Sequence, residues 1–301
     1  MEYLLFAFLA LLSSSLNTIF NRLASHKVNS VLSATLKSFF MVIATIIITT
    51  MFGHLNDLAN FSSRQLIFLI VTVVLTTVNW IFYFIAMKHS HLEAFSPFEQ
   101  TILLLLGNIL FIFPPFFTIS TNGGKTLNIA LYFLGILFLL VAVMIVTFNK
   151  RINPSAKKYW MIFAFISALS LAVTNYLVKL ELSNIPSDVI AFYQMSGVFI
   201  ISVIFSVISK NIKQIKTINL KTYIFFFIAA ICNAFLMIFR YKALSETNAV
   251  PSIVNIIISL EFLIVSLSSA LFFKAHNKKD IFLLSIFLIL GMVLNVLSGL
   301  I

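Results

Sequence analysis

Two acidic residues stand inside long apolar stretches of the sequence, where ionisable side chains are rare. Glu99 lies in FSPFEQTILLLLGN (residues 95–108), and Glu261 lies in SIVNIIISLEFLIVSL (residues 252–267). A charged side chain at the centre of a bilayer costs about 2.5–3.5 kcal/mol on insertion scales. An acidic residue at such a position is therefore predicted to belong to a functional site. A carboxylate there could hold a polar or cationic group of a ligand. It could also take up a proton when the site becomes accessible from the other side of the membrane.

A proline precedes the first of these acids and favours a cavity at the same level. Pro97 removes one backbone hydrogen bond, and in lipid such a defect is tolerated only beside protein or a wet cavity. Pro97, Glu99 and Gln100 therefore predict a cavity-facing segment, and Pro251 marks a comparable place before Glu261. Two structural alternatives stay open: a kink that only shapes packing, and an acid that stays protonated or caps a neighbouring helix.

Amide and aromatic side chains recur at depth in the apolar stretches and complete the predicted substrate-binding set. In hydrocarbon an amide needs a partner, and a single amide most often serves as a hydrogen bond between helices. Tyrosine and tryptophan combine an aromatic face with a polar tip, so they either line a pocket or form an interfacial belt. The predicted set comprises Asn17, Asn79, Trp80, Tyr83, Glu99, Gln100, Asn175, Tyr176, Gln194, Arg240, Asn255 and Glu261.

Basic residues near the ends of apolar stretches have two interpretations. Lys37, Lys179 and Arg240 lie close enough to these ends for their charged groups to reach the interface. Lys37 and Arg240 could instead pair with a carboxylate of the substrate.

The motifs of common enzymes and cofactor sites do not occur in the sequence. HSHLE (residues 89–93) could bind a metal ion, but alternating histidines in a short turn are more typical of solvated surface, so no metal site is predicted. A glycine-rich phosphate loop, a nucleophile elbow and a zinc-binding helix are all missing from the sequence. The single Cys232 excludes an intramolecular disulfide. We therefore expect neither an enzyme nor a cofactor.

The composition indicates which elements must position these side chains. Of 301 residues, 61% are hydrophobic and only 10% are charged, and the mean hydropathy is +1.08. A soluble domain carries about 25% charged residues. Stretches of about 20 apolar residues, each long enough to cross a bilayer, recur along the chain, and they are continuously apolar instead of alternating as in a barrel. The sequence thus predicts an all-α polytopic membrane protein.

Ten transmembrane helices are predicted between successive helix breakers. Short links with turn-forming residues separate them, so no soluble domain fits between the spans. The predicted spans are residues 2–20, 32–52, 66–87, 93–116, 128–148, 159–180, 188–209, 222–242, 249–273 and 281–300.

The second half of the chain resembles the first. FYFIAMKHS (residues 82–90) aligns with FRYKALSET (residues 239–247) at an offset of 157 positions (239 minus 82). SLNTIFN (residues 15–21) aligns with AVTNYLVK (residues 172–179), which brings Asn17 opposite Asn175 at an offset of 158 positions (175 minus 17). Because each repeat holds five spans, an odd number, the second repeat enters the membrane inverted relative to the first. The predicted five-helix repeats are residues 1–150 and residues 156–301.

The two intramembrane acids are not mates in this alignment. Glu261 falls opposite Leu104 and not opposite Glu99. The two repeats therefore place different ionisable groups in the predicted cavity.

Basic residues indicate the orientation and the membrane environment. The 20 Lys and Arg residues exceed the 9 acids, and they lie in short loops, which points to topology and lipid headgroups and not to nucleic acid. Loops after odd-numbered spans hold most of them, so the positive-inside rule puts these loops in the cytoplasm and both termini outside. We expect a multi-pass protein of the cell (plasma or inner) membrane.

Two stretches carry a resemblance to a known family. NWIFYFIAMKHSHLEAFSP (residues 79–97) and YKALSETNAVPSIVNIIISLEFLIVSLSSALFF (residues 241–273) resemble the paired signature of the drug/metabolite transporter (DMT) superfamily, EamA-like family. In that signature a span ends in an Ala-Leu-type step, a tight turn follows, and the next span carries small and polar residues. The resemblance implies a transporter of small metabolites that works by alternating access, with a central cavity lined by spans 1, 3 and 4 and by spans 6, 8 and 9.

The chain departs from the family pattern in three respects. LFFKAHNKK (residues 271–279) lacks the acid of the Leu-Gly-Glu step that often ends a family repeat. Span 1 offers only Glu2 at its edge, so a proton exchange that relies on an acid buried in the first span is not carried over. Many members keep their termini in the cytosol, whereas the charge distribution puts the termini of this chain outside.

The leading functional hypothesis is a secondary transporter of small polar metabolites, either amino-acid-like or nucleoside-like, with efflux as one direction. Its partners would be a small-molecule substrate, the lipid bilayer and, as an open addition, a coupling proton or cation; no nucleic acid is expected. Two alternatives stay open. A cavity open sideways to lipid would favour a flippase for lipid-linked sugars or lipids, and a sealed bundle would favour a non-transporting membrane scaffold.

Overall fold

The structure, a computed structural model, is helical throughout the residues that it describes. These are residues 2–26, 28–90, 92–112, 129–148, 159–182, 184–246, 251–272 and 278–300, and no strand occurs among them. The predicted all-α class is therefore confirmed. The α-helices are α1 (Glu2–Ser25), α2 (Ser30–Met51), α3 (Ser63–Lys88), α4 (Leu92–Ile112), α5 (Ile129–Phe148), α6 (Tyr159–Glu181), α7 (Ser187–Ile208), α8 (Leu220–Ser245), α9 (Pro251–Ser259), α10 (Glu261–Phe272) and α11 (Lys278–Leu300).

Six of the described helices are long and apolar enough to cross a membrane. They are α1, α2, α3, α6, α7 and α8, and shorter apolar segments lie at Phe133–Ile145, Ile253–Val265 and Ser285–Leu294. Large apolar side chains such as Leu5, Ile67 and Ile200 point away from the bundle, as a lipid-facing surface requires. The predicted number of ten spans is not confirmed by this criterion, and it stays a prediction.

The predicted ninth span is interrupted. One continuous helix was expected over residues 249–273, but α9 ends at Ser259 and α10 begins at Glu261. The backbone N–H of Leu260 is shared between the carbonyls of Ile256 and Ile257, each at 3.2 Å. The break puts the Glu261 carboxylate in the first turn of α10, where unpaired N–H groups favour an anion.

Several helices of the second half repeat those of the first at a fixed distance along the chain. Adding 157 to the bounds of α2 (Ser30–Met51) gives those of α7 (Ser187–Ile208), and adding 157 to α3 (Ser63–Lys88) gives α8 (Leu220–Ser245). The starts of α1 and α6, Glu2 and Tyr159, have the same separation. The offset read from the letters of the sequence therefore also describes these helix bounds.

The link that follows α2 and the link that follows α7 are built alike. Gly53 and Lys210, which are 157 positions apart, adopt the left-handed conformation with φ of 76° and 57°. Each precedes a short 3-10 helix, at His54–Ala59 and Asn211–Thr217. The left-handed conformation is unfavourable for residues other than glycine. Lys210 nevertheless adopts it, so the turn has the same backbone shape in both halves.

Helix caps end these two links in the same way. The Ser62 hydroxyl accepts a hydrogen bond from the backbone N–H of Gln65 at 3.2 Å, and the Asn219 side chain accepts one from Thr222 at 2.9 Å. Each cap satisfies one of the N–H groups that a helix start leaves unpaired. Ser62 and Asn219 are again 157 positions apart, so helix starts α3 and α8 are specified by the same device.

The helix pairs follow a reciprocal pattern. Helix α1 packs on α8 while α6 packs on α3, and α2 packs on α8 while α7 packs on α3. Helix α4 packs on α6, and α1 packs on α9 and α10. Two further pairs join corresponding helices of the two halves, α2 with α7 and α5 with α11.

Small residues allow the closest of these approaches. Ala7, Ala10 and Ser14 of α1 are all buried. Their small side chains allow the backbone of α1 to come close to α8, α9 and α10. In α7, a methyl group at Gly197 would overlap the side chain of Val73 in α3. Larger side chains would not fit at these positions without movement of the neighbouring helix.

Candidate functional site

A polar cavity lies in the interior of the bundle, between helices of the first half and helices of the second. It has about 690 Å³ of space, including its open mouth, and side chains of α1, α2, α3, α4, α6, α8 and α10 line it. The resemblance implied spans 1, 3, 4, 6, 8 and 9, so α2 is an addition.

Eight of the twelve predicted site residues line this cavity. The four others do not: Asn175, Tyr176, Gln194 and Asn255 lie outside its lining. The eight that the fold brings together are Asn17, Asn79, Trp80, Tyr83, Glu99, Gln100, Arg240 and Glu261.

The four remaining residues have other surroundings. Gln194 is completely buried behind the cavity wall, where its Oε1 accepts a hydrogen bond of 2.6 Å from the Tyr241 hydroxyl. Asn255 is buried in α9, with its Nδ2 next to the Gly107 position of α4. Asn175 is buried in α6, and Tyr176 is half-buried beside it. The structure therefore places these four side chains away from the cavity.

The carboxylate of Glu261 is held by hydroxyl groups of α1. Ser14 and Thr18 each donate a hydrogen bond to it, and the Thr18 bond to Oε1 measures 2.7 Å. Ser14 and Thr18 are one helical turn apart and therefore lie on the same face of α1. Thr18 also lies 3.4 Å from the Tyr83 hydroxyl. This network ties α1 to α10 and faces the cavity.

The carboxylate of Glu99 joins three helices. The Ser167 hydroxyl of α6 donates to its Oε1 at 2.9 Å, and the Asn79 amide of α3 donates to the same hydroxyl at 2.9 Å. Asn79 also donates to the Ser167 carbonyl at 3.0 Å. Next to Glu99, the Gln100 side chain accepts a hydrogen bond of 3.2 Å from the Ser259 hydroxyl. Glu99 is thus supported on one side and faces the cavity on the other.

The expectation for Pro97 holds for its neighbours and not for the proline itself. Glu99 and Gln100 line the cavity, whereas Pro97 does not. The Thr101 hydroxyl donates a hydrogen bond of 2.6 Å to the Pro97 carbonyl, within the same helix. The side chain of Pro251, the comparable position before Glu261, lies outside the described side chains.

Lys37 does not reach the interface; its ammonium group is inside the cavity. The side chain is only 3% exposed, and its Nζ donates a hydrogen bond of 2.6 Å to Asn17 Oδ1. Nζ also lies 4.4 Å from the centre of the Trp80 ring, which is a cation–π geometry. The length of a lysine side chain allows snorkelling, but the position of Lys37 on the inner face of α2 prevents it.

Arg240 is the second buried cation of the cavity. It is 6% exposed, and its Nε has no hydrogen-bond partner among the described residues. The ion pairs found in the described part of the chain are elsewhere, between His54 and Asp188 and between Arg64 and Glu181. The cavity therefore contains two cations and two acids that are close to each other without forming an ion pair.

Several cavity residues were missed by the sequence reasoning. Ser14, Thr18 and Tyr241 line the cavity together with Lys37, for which the sequence left open both a position at the interface and a pairing with a substrate carboxylate. Ser14, Asn17 and Thr18 recur with the spacing of one helix face, a signal that was available. Tyr241 could have been found as the residue 157 positions after Phe84, which also lines the cavity.

The histidine-rich turn gives no described metal site. His91 lies outside the described residues, and the side chain of Glu93 is also not described. The His89 ring accepts or donates a hydrogen bond of 3.1 Å with the Tyr159 hydroxyl. Within the described part of the chain, no three His, Cys, Asp or Glu side chains come together as metal ligands.

Comparisons with known proteins agree with the class that this fold and cavity define, a helical membrane protein with an internal polar site. A family profile described as the EamA-like transporter family matches residues 158–297. This segment is similar to the EamA-like transporter family, part of the DMT superfamily, as the sequence resemblance predicted. The members of this family are membrane transporters of small molecules and not enzymes.

Solved structures share the fold. A protein chain in a crystal structure is 15% identical, with a TM-score of 0.69, and the match covers 98% of this chain and 97% of that one. At this identity the likeness concerns the fold alone. A comparison with curated proteins found no match.

Proposed function

We propose that the chain is a secondary transporter that moves small polar metabolites, amino-acid-like or nucleoside-like, across the cell membrane. The substrate would bind in the central cavity, which would open alternately to the two sides. The observation that carries this proposal is the group of buried ionisable residues, Lys37, Glu99, Arg240 and Glu261, around one cavity. Ionisable groups inside a membrane bundle are costly, and they mark substrate and ion pathways.

The architecture that we propose for this function is a pair of inverted five-helix repeats, residues 1–150 and 156–301. The offset of 157 between the bounds of α2 and α7, and between those of α3 and α8, supports a duplication. The reciprocal packing of α1 on α8 and α6 on α3 supports a two-fold relation between the copies. In inverted-repeat transporters the binding site lies between the repeats, and rocking of one bundle against the other exposes it alternately.

In this proposal the two acids have different tasks. Glu261 accepts two hydroxyl hydrogen bonds from α1 and couples α1 to α10. Glu99 accepts one from Ser167 and keeps its other oxygen available for a substrate group or a coupling proton or cation. Because the acids are not repeat mates, the two repeats contribute different ionisable groups to the cavity.

A polar cavity distinguishes this proposal from its alternatives. Burying a charged side chain costs free energy unless the charge is paired or solvated. A scaffold that binds no ligand would gain nothing from two cations and two acids buried around a cavity. A flippase needs a lateral opening to lipid, whereas side chains of seven helices surround the cavity, among them two lysine or arginine and two glutamate side chains. The cavity supports the transporter over both.

The test of this function is a binding screen followed by a transport assay. A substrate that binds only the folded state raises the unfolding midpoint of the purified protein. A metabolite library is screened in this way, and each hit is offered to proteoliposomes as a radiolabelled compound. We expect saturable uptake that falls in the Glu99→Gln variant and not in Glu2→Gln, which changes an exposed acid at the edge of α1. Stabilising hits that never enter the vesicles would contradict the proposal.

A further inference from the structure

The guanidinium group of Arg240 is the least satisfied polar group of the cavity wall. Arg240 is 6% exposed, it lines the cavity, and its Nε has no hydrogen-bond partner among the described residues. An arginine presents five N–H donors and stays charged, so it cannot avoid the need for acceptors by losing its proton. A buried charge without an acceptor is strongly unfavourable. The side chain therefore points to an acceptor that enters the cavity.

The acids of the cavity do not supply this acceptor. Neither Glu99 nor Glu261 forms an ion pair with Arg240, since the two ion pairs of the described residues involve other side chains. Glu261 is engaged by the hydroxyls of Ser14 and Thr18, and Glu99 by Ser167. Both carboxylates accept hydrogen bonds from other helices of the wall, and neither lies within ion-pair distance of Arg240.

The neutral neighbours of Arg240 are also engaged. The Tyr241 hydroxyl donates a hydrogen bond of 2.6 Å to Gln194 Oε1. Lys37, the other cation of the cavity, differs from Arg240 because its ammonium already contacts Asn17 and the Trp80 ring. Arg240 is therefore the cation with free donors.

The shape of a guanidinium group selects the chemistry of the ligand. Its planar fork of N–H donors matches the two oxygens of a carboxylate or of a phosphate, and both bonds form at once. A neutral carbonyl or hydroxyl can accept only part of this fork and brings no opposite charge. The cavity also holds aromatic faces, Trp80, Tyr83 and Phe84, next to which an organic group could pack.

We propose that the ligand of the cavity carries an oxyanion, a carboxylate or a phosphate, that docks on the guanidinium group of Arg240. This inference rests on the proposed function, because it assigns the class of the transported substrate. Lys37 then contributes a second positive charge to the same space without being the anchor. The repeat mate of Arg240 is Tyr83 (240 minus 157), so the anion site belongs to one half of the cavity only.

The experiment is an anion titration of the purified full-length protein. Unfolding midpoints are measured against acetate, inorganic phosphate, benzoate and phenyl phosphate, and against the neutral acetamide and benzamide. We expect at least one of the anions to raise the midpoint of the wild-type protein saturably, and the amides to leave it unchanged. The carboxylates and the phosphates form separate arms, so the responding arm identifies the oxyanion.

Variants connect the effect to Arg240. In Arg240→Gln, anion affinity should fall at least about tenfold, the factor that loss of a hydrogen bond to a charged group produces. Lys242→Gln, which changes an exposed cation two residues later on α8, should bind as the wild type does. If Arg240→Gln does not fold, Arg240→Lys decides, because it keeps the charge and loses the fork; its affinity should be lower than that of the wild type.

The possible results separate this inference from the transport proposal. Equal anion affinity in the wild type and in the folded Arg240 variant, or no response to any anion, overturns the anion site. Uptake of a neutral compound by a protein that no anion stabilises would leave the transport proposal standing without the anion site. Anion binding with no uptake of any compound would overturn transport and leave the binding site.

Discussion

Arg22 and Lys179, which are 157 positions apart, make the same contact in the two halves of the bundle. Arg22 Nη1 donates a hydrogen bond to the carbonyl of Met87, and Lys179 Nζ donates one of 2.6 Å to the carbonyl of Leu244. In both cases the acceptor lies 65 positions further along the chain. Each cation joins the end of one helix to the end of another, where carbonyls have no partner within the helix.

The first prediction concerns these paired contacts. Arg22→Gln and Lys179→Gln should each lower the free energy of unfolding by about 1–3 kcal/mol, because each leaves charge-assisted hydrogen bonds to helix-end carbonyls unmade. The two losses should be similar in size. Lys213→Gln, at an exposed position of the link between α7 and α8, should change it by less than about 0.5 kcal/mol. Unfolding in detergent checks this, and three indistinguishable midpoints would refute it.

The second prediction concerns the hydroxyl groups around Glu261. Thr18→Val keeps the shape of the side chain and removes the donor to Glu261 Oε1, so a buried acid loses a partner. The free energy of unfolding should fall by about 1.5–3 kcal/mol. Thr45→Val is the matched control, because the buried Thr45 hydroxyl bonds only to carbonyls of its own helix. A Thr18 variant as stable as the Thr45 variant would contradict the network.

The third prediction concerns the pairing of Lys37 with Asn17. A double-mutant cycle of Lys37→Met and Asn17→Ala should give a coupling energy of about 0.5–3 kcal/mol, since the two side chains share a hydrogen bond of 2.6 Å. Lys213→Met replaces Lys37→Met in the control cycle and should be additive with Asn17→Ala. Additivity in both cycles would mean that Lys37 and Asn17 do not interact in the folded protein.

The fourth prediction concerns the seam between α3 and α7. Gly197→Ala adds a methyl group that overlaps the Val73 side chain, so it should destabilise the bundle by about 1–3 kcal/mol. Val73→Ala in the same chain should restore much of this loss, because it removes the overlapping atoms. The measurement is the unfolding midpoint of the two single variants and the double variant. If the double variant is no more stable than Gly197→Ala, the overlap with Val73 is not the cause of the destabilisation.

The general plan of the protein could be predicted because it follows from composition and from the cost of burying charge. Continuous apolar stretches predict helices, and their spacing places α2, α3, α7 and α8 close to their observed bounds. The acids Glu99 and Glu261 were placed in the cavity correctly, since no other environment in a membrane bundle tolerates them well.

The details that failed depend on helix rotation and on local backbone geometry. Gln194 and Asn255 were predicted from residue type, but the way each helix is turned directs them into packing contacts. Lys37 could snorkel by its length, and only the rotation of α2 decides that it does not. The break at Leu260 could not be predicted, because neither Leu260 nor its neighbours are glycine or proline.

The central claim is that one cavity is exposed alternately to the two sides of the membrane, and labelling of a single cysteine tests it most directly. Cys232 is the only cysteine, so Cys232→Ala gives a background in which Thr76→Cys lies in the cavity. Thr72→Cys, one turn away on α3 and outside the cavity lining, is the control.

A membrane-impermeant methanethiosulfonate is applied to right-side-out and to inside-out vesicles. We expect the cysteine at position 76 to react from both sides and the one at position 72 to react from neither. Reaction from one side only, or from no side, would contradict alternating access.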